Sequence, residues 1–188
     1  MKNPMGELAL IEQIRRTFAS PGRRRNPAIT LGIGDDCAIL RPPPDTEILV
    51  TTDFSLEGRH FRRDLHSPES IGHRCLARGL SDLAAMGATP LAAFLSLALP
   101  ADLLASPAGR VWIKRFFDGL KTLATLHHVP LAGGDTSESP RETKGTHSKE
   151  TGGLILADIA LLGTAPRGKA LRRSGANPGD LLYVTGHL

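Results

Sequence analysis

Apolar residues recur at intervals of three and four at Leu8, Ile11, Ile14 and Phe18, a spacing that predicts an amphipathic helix over residues 6 to 18. Ser67-Pro68-Glu69 supplies a cap, a proline at the first helical position and an acid in the first turn, so a second helix is expected to run to about Met86 and stop at Gly87. Ser106-Pro107 repeats the cap signal, and Trp112, Phe116, Leu120 and Leu123 keep helical spacing to about His127. Between these lie short apolar or β-branched runs. Cys37 to Leu40 and Glu47 to Asp53, separated by Pro42-Pro43-Pro44-Asp45, read as a hairpin-type pair of strands. Leu91 to Leu99 reads as a buried strand, Val129 to Ala132 as a short one running into Gly133-Gly134-Asp135, and Thr136 to Glu150 as a polar loop. Leu154 to Leu162 and Leu181 to Thr185 complete the strands. Helices interleaved with sheet predict a mixed α+β sandwich.

The length of 188 residues fits one domain with additions, and 40% hydrophobic with 22% charged residues is the profile of a folded chain. The stretch Leu83 to Leu99 is interrupted by Gly87 and Thr89-Pro90, so no membrane span is expected. Glu7, Glu12, Arg15 and Arg16 stand where a signal peptide would be apolar, which points to the cytoplasm. Two cysteines, Cys37 and Cys75, give neither a disulfide framework nor a thiolate zinc spacing. The net charge of +4 is concentrated in Arg23-Arg24-Arg25, Arg62-Arg63 and Arg167, Lys169, Arg172, Arg173. Aromatic residues amount to only 4%, too few for a base-stacking platform, so no nucleic-acid partner is expected. The last residues, Thr185-Gly186-His187-Leu188, follow an apolar run with no closing polar segment, as expected of the N-terminal part of a longer protein.

Four segments place acids beside glycines or at element ends: Gly34-Asp35-Asp36, Thr51-Thr52-Asp53, Ser81-Asp82 and Gly133-Gly134-Asp135. Hard divalent cations take oxygen ligands, and phosphate-transfer sites combine a few carboxylates with hydroxyls and the phosphates themselves. Taken singly, each acid also fits a turn, a cap or a strand end. Asp82 differs, because it lies among Leu83, Ala84, Ala85 and Met86 in a predicted helix and must either face water or have a partner. There is no GxxxxGK[ST], no GxGxxG opening a helix, no HExxH and no GxSxG, which excludes the familiar nucleotide and hydrolase motifs. His127-His128 lacks further ligands at metal spacing. His60, on Glu57-Gly58-Arg59-His60-Phe61 after the Asp53 strand, is placed where a loop presents an imidazole to an anionic ligand.

The succession LGIGDDCAIL, TTDFSLEGRHF, LSDLAAMGATP, LAGGDT and KALRRSGANPGDLLYVTG resembles the thiamine-monophosphate kinase family, in the superfamily of aminoimidazole ribonucleotide synthetase. The match runs from about Gly6 to the last residue. It implies an α+β domain of the aminoimidazole ribonucleotide synthetase type, a mixed or antiparallel sheet with helices on one face, over residues 1–165, and the start of a second domain over 166–188. By position, the resemblance implies that Asp36, Thr51, Thr52, Asp53, Asp82 and Asp135 hold several Mg2+ ions and that Gly134, Asp135 and Arg173 bind ATP. It also implies that His60 touches substrate. The implied reaction moves the γ-phosphoryl of ATP to the phosphate of thiamine monophosphate, giving thiamine diphosphate, with metal rather than a catalytic side chain assisting the transfer. A homodimer formed through the sheets is implied as well. Two departures stand out: Arg78-Gly79, where the family has a small apolar residue and Asn, and residues 138 to 150, which read as an insertion. The alternatives are a non-catalytic dimerising half-domain and another superfamily ATPase such as a purine-pathway synthetase.

Overall fold

A computed structural model of the chain describes residues 6–18, 27–140 and 153–184. The arginines at 23 to 25, most of the expected loop and the last four residues lie outside the described residues. The described elements are α1 (Glu7–Phe18), β1 (Ile29–Leu31), β2 (Ile39–Leu40), β3 (Thr46–Leu56), α2 (Pro68–Ala85), β4 (Thr89–Leu99), α3 (Ala101–Ala105), α4 (Pro107–Leu126), β5 (Leu131–Glu138), β6 (Leu156–Pro166) and a 3-10 turn at Arg173–Gly175.

Both long helices start where their caps predict. Ser67 Oγ accepts the amide of Ser70 at 3.2 Å and Ser106 Oγ accepts that of Gly109 at 3.0 Å, with proline at the first helical position of each. They pack side by side on one face of a four-stranded sheet of order β3-β6-β4-β5, so the α+β class and the one-sided helix layer are as expected. β6 runs antiparallel to both β3 and β4, whereas β4 and β5 are parallel and joined through α3 and α4. The core lies between sheet and helices: Ile71, Cys75 and Leu76 from α2, Ile113, Phe116, Phe117 and Leu120 from α4, and Leu95, Leu99, Ile159 and Leu161 from the strands are all buried. Each such large side chain contributes on the order of 2 kcal/mol of transfer free energy. Phe117 meets Phe116 edge to face at 5.3 Å and Phe18 of α1 at 6.2 Å, which docks the N-terminal helix on α4.

Three expectations are corrected. The run Cys37 to Leu40 does not form a hairpin with the next strand; Ile39–Leu40 pairs antiparallel with Ile29–Leu31, and β3 pairs with β6 more than a hundred residues later. The triple proline between them directs the chain away from a tight reversal. The Gly-Gly-Asp segment is neither a turn nor the end of a strand but the middle of β5, which continues through Thr136, Ser137 and Glu138 into the expected loop. Leu181 to Val184 forms no strand: these side chains are exposed, and an extended run with no strand beside it has nothing to bond its amides to.

Candidate functional site

The glycines of β5 show how the site is built. Gly134 has φ +146, and a Cβ there would sit 1.9 Å from the carbonyl oxygen of Leu95, so only glycine lets β5 press this close against β4. That contact carries Asp135 onto the edge of the sheet, exposed. Opposite it, the loop Gly32 to Ala38 leaves β1 with Gly34 at φ +137, and the amide of Asp36 is held by Asp35 Oδ1 at 2.9 Å. Between this loop, α1 and β5 opens a cavity of about 700 Å³. Asp35, Asp36, Gly134 and Asp135 line it, and Leu8, Ile11 and Phe94 give it an apolar wall. Anionic rim and apolar wall together are the usual make-up of a small-molecule site.

A second group lies where β3 faces α2. The two elements run antiparallel: two residues of strand advance roughly 6.6 Å and four residues of helix roughly 6 Å, so side chains at steps of two and four stay in register. Thr51 donates its hydroxyl to Asp82 Oδ2 at 2.5 Å. One step along, Arg78 donates Nη2–H at 2.6 Å and Nε–H at 3.1 Å to the same Oδ1 of Asp53. Two strand residues further, and three rather than four along the helix, Ser55 lies beside Cys75, whose thiol is pushed up to about 12, chiefly by burial. Asp82 thus has a partner and is also open to water, which answers the question its helical position raises.

His60 follows β3 on a turn in which its amide donates to the carbonyl of Leu56 at 2.8 Å. Its Nδ1 accepts the amide of Leu56 at 3.0 Å, which leaves Nε2 to carry the proton of the neutral ring. Burial lowers its pKa below 6.5, the charges of Arg78, Arg74 and Arg59 lower it further, and Asp53 opposes them. His60 is therefore a neutral donor in a cationic neighbourhood.

The residues singled out in sequence accordingly fall in separate places. Asp36, Gly134 and Asp135 share the cavity; Thr51, Asp53, Asp82 and His60 share the β3–α2 side. Thr52 is exposed on the opposite, helix-free face of β3, because alternate strand residues point to opposite sides. Arg173, exposed in its 3-10 turn, does not line the cavity. The two acid groups occupy opposite edges of the sheet: Asp53 pairs with Ile159, Ile159 with Leu95 and Leu95 with Gly134, three interstrand steps of roughly 4.8 Å. Among the described residues no three His, Cys, Asp or Glu side chains converge as a ready-made metal cage. Carboxylates in ones and twos with a hydroxyl are nonetheless what a Mg2+ ion shared with phosphate oxygens uses, so the donor set fits such an ion.

Two residues whose contacts shape the site escape a reading of the motifs. Arg78 is visible as a charge one turn before Asp82 and as a departure from the family pattern, but nothing in the sequence pairs it with Asp53. Glu57 is visible as the first residue of EGRHF, but its part is structural: Oε1 takes Arg63 Nε at 2.5 Å and Oε2 takes the amide of Ile155 at 2.9 Å, tying the turn to the start of β6.

The model of the AIR synthase related protein, N-terminal domain, matches residues 34–165, the span that carries Asp36, Thr51, Thr52, Asp53, His60, Asp82, Gly134 and Asp135. The chain belongs to this family. Within AIR synthase related domains, it is similar to the thiamine-monophosphate kinase of Escherichia coli (strain K12), 40% identical over 158 residues that make up 84% of this chain and 42% of that protein. The crystal structure of thiamine-monophosphate kinase from Stenotrophomonas maltophilia K279a matches with a TM-score of 0.65 at 38% identity, over 91% of this chain and 46% of that one. AaThiL complexed with AMPPCP and TMP matches with a TM-score of 0.58 at 29% identity, over 92% of this chain and 46% of that one. The chain thus spans about half the length of these relatives.

Proposed function

We propose that this chain is the N-terminal half of a thiamine-monophosphate kinase, which transfers the γ-phosphoryl of ATP to the phosphate of thiamine monophosphate. The observation that carries this reading is the cavity rimmed by Asp36, Gly134 and Asp135, in a domain similar to one solved with AMPPCP and TMP. Gly134, Asp36 and Asp135 all line the space that a triphosphate would fill in this reading. Donor and acceptor are both anions, so the demand on the protein is charge compensation and alignment rather than a base. Mg2+, when bound, would supply that charge compensation. Asp36 and Asp135 at the cavity, Asp82 with Thr51 and Asp53 between β3 and α2, and Thr52 separately from the opposite face of β3, are the residues that would hold it. His60 offers Nε2–H to an anionic substrate, and its depressed pKa keeps it a neutral donor at physiological pH. Arg173 is assigned to the nucleotide, on the segment that leads towards the second half. Residues 166–188 belong, in this reading, to that second domain.

The protein works as a cytoplasmic homodimer in this proposal. The helix-free face of the sheet exposes Ile48, Val50, Phe54 and Leu156, an apolar surface of the kind a second copy covers. Among the described residues no helix is long and apolar enough to cross a membrane.

A coupled assay of ADP release with MgATP and thiamine monophosphate tests the assignment. This chain alone is expected to turn over negligibly, because misplacement by about 1 Å can cost about 100-fold in rate and half of the site is missing. A version continued through a complete second domain is expected to be active. Inactivity of the extended protein would overturn the kinase reading, and full activity of the short chain would overturn the half-site.

A further inference from the structure

Asp53 and Asp82 occupy successive steps of the β3–α2 ladder, yet they are served differently. Among the described residues, Asp82 meets the neutral hydroxyl of Thr51 and stays open to water. Asp53 receives both guanidinium donors of Arg78 on one oxygen, and the side chains are only 19% and 31% exposed. Their attraction is therefore weakly screened, and the pair persists unless something compensates both charges. A divalent ion approaching Asp53 must displace this guanidinium or sit against its positive charge. Arg74, one turn back on the same helix face, and Arg59 add to the positive field felt at His60 next to Asp53.

We propose that Arg78 is a built-in counter-cation that sets the divalent-ion affinity of the β3–α2 face: it occupies Asp53 and leaves Asp82 with Thr51 as the oxygen pair open to an ion. The inference rests on reading Asp53 and Asp82 as ion ligands. It adds that Arg78 governs how tightly they bind. Removing a unit charge that stands a few ångströms from the ion strengthens binding by about tenfold even at a water-like dielectric.

The test is calorimetric titration of Mn2+, alone, into the full 188-residue chain at low ionic strength. Arg78→Val is expected to bind about tenfold more tightly than the parent, and Arg78→Lys to stay near it. In the Arg78→Val/Asp53→Asn double variant the gain is expected to disappear, since it acts through Asp53. Equal affinity of parent and Arg78→Val would overturn the proposal, as would a gain that survives loss of the Asp53 charge. If neither protein binds Mn2+, the reading of this face as an ion site fails too. Failure of the kinase assignment shows separately, in the ADP assay. Arg78→Gln, closer in shape to arginine, decides the same question if circular dichroism shows Arg78→Val unfolded.

Discussion

The hydroxyl of Thr51 and the carboxylate of Asp82, thirty-one residues apart, meet at 2.5 Å across the seam between β3 and α2. Asparagine at position 82 keeps an oxygen for that hydroxyl and removes only the charge. If Asp82 holds an ion as proposed, Asp82→Asn is expected to lower the affinity for MgATP by tenfold or more. The melting temperature should move by no more than about 2 °C, since the side chain is exposed. Calorimetry and a thermal melt on the same sample separate the two effects. Unchanged MgATP affinity would remove Asp82 from the ion site.

Features written in adjacent residues were legible in the sequence. Ser67-Pro68 and Ser106-Pro107 announce their helices because a cap, a ring-fixed φ and a free amide are all local. Strand partners were not, since β3 pairs with β6 across the whole helical layer and no nearby residue records that choice. The two glycines of β5 signal a turn by composition, whereas here Gly134 answers a close approach of the Leu95 backbone and Gly133 lies against the Phe94 ring, which only the fold reveals. The candidate acids were found from their glycine and threonine neighbours. Their division between two sheet edges follows from the order β3-β6-β4-β5, which composition and spacing do not carry. Arg78 shows the same limit, because its meaning depends on Asp53 standing one step from Thr51.

Glu57 ties its turn to a segment ninety-eight residues away, with Arg63 on one oxygen and the Ile155 amide on the other. Its side chain is 10% exposed, so truncation leaves Arg63 short of its partner and an amide unpaired. Glu57→Ala is expected to cost about 3 kcal/mol. For a chain of this size that lowers the melting temperature by roughly 6–12 °C. Glu57→Gln, which can still accept from Ile155, should cost less. A melt of Glu57→Ala that overlays the parent would show the clamp to be without weight.

His60 makes stability depend on pH in a defined direction. Its folded-state pKa is below the ordinary 6.5, first through burial and then through Arg78, Arg74 and Arg59, so the unfolded chain binds this proton more readily. The contribution is fully present above 6.5 and is lost as pH falls through the folded pKa. An NMR titration of the ring is expected to give a midpoint below that of a free histidine. Arg78→Gln should raise it, whereas a midpoint unmoved by that change would show that the arginine's charge does not reach the ring.

Gly72 of α2 and Gly119 of α4 are where the two helices come closest. A Cβ on Gly72 would lie 2.0 Å from the carbonyl oxygen of Phe116, and one on Gly119 would lie 2.0 Å from that of Glu69. In a helix interior, alanine is ordinarily better than glycine by about 1 kcal/mol, so propensity alone predicts that both replacements stabilise. Packing predicts the reverse, and it wins because the obstacle is backbone, which cannot rotate aside as a side chain can. Parting the helices to make room would loosen Ile71, Leu76, Phe116 and Leu120, all buried in the same core. Gly72→Ala and Gly119→Ala are each expected to lose about 2 kcal/mol or more net. Gly175, where an added Cβ meets nothing within 4 Å, gives the control: Gly175→Ala should unfold within about 0.5 kcal/mol of the parent. Chemical denaturation of the three variants decides, and a Gly72→Ala protein as stable as the parent would mean that the helices do not approach this closely.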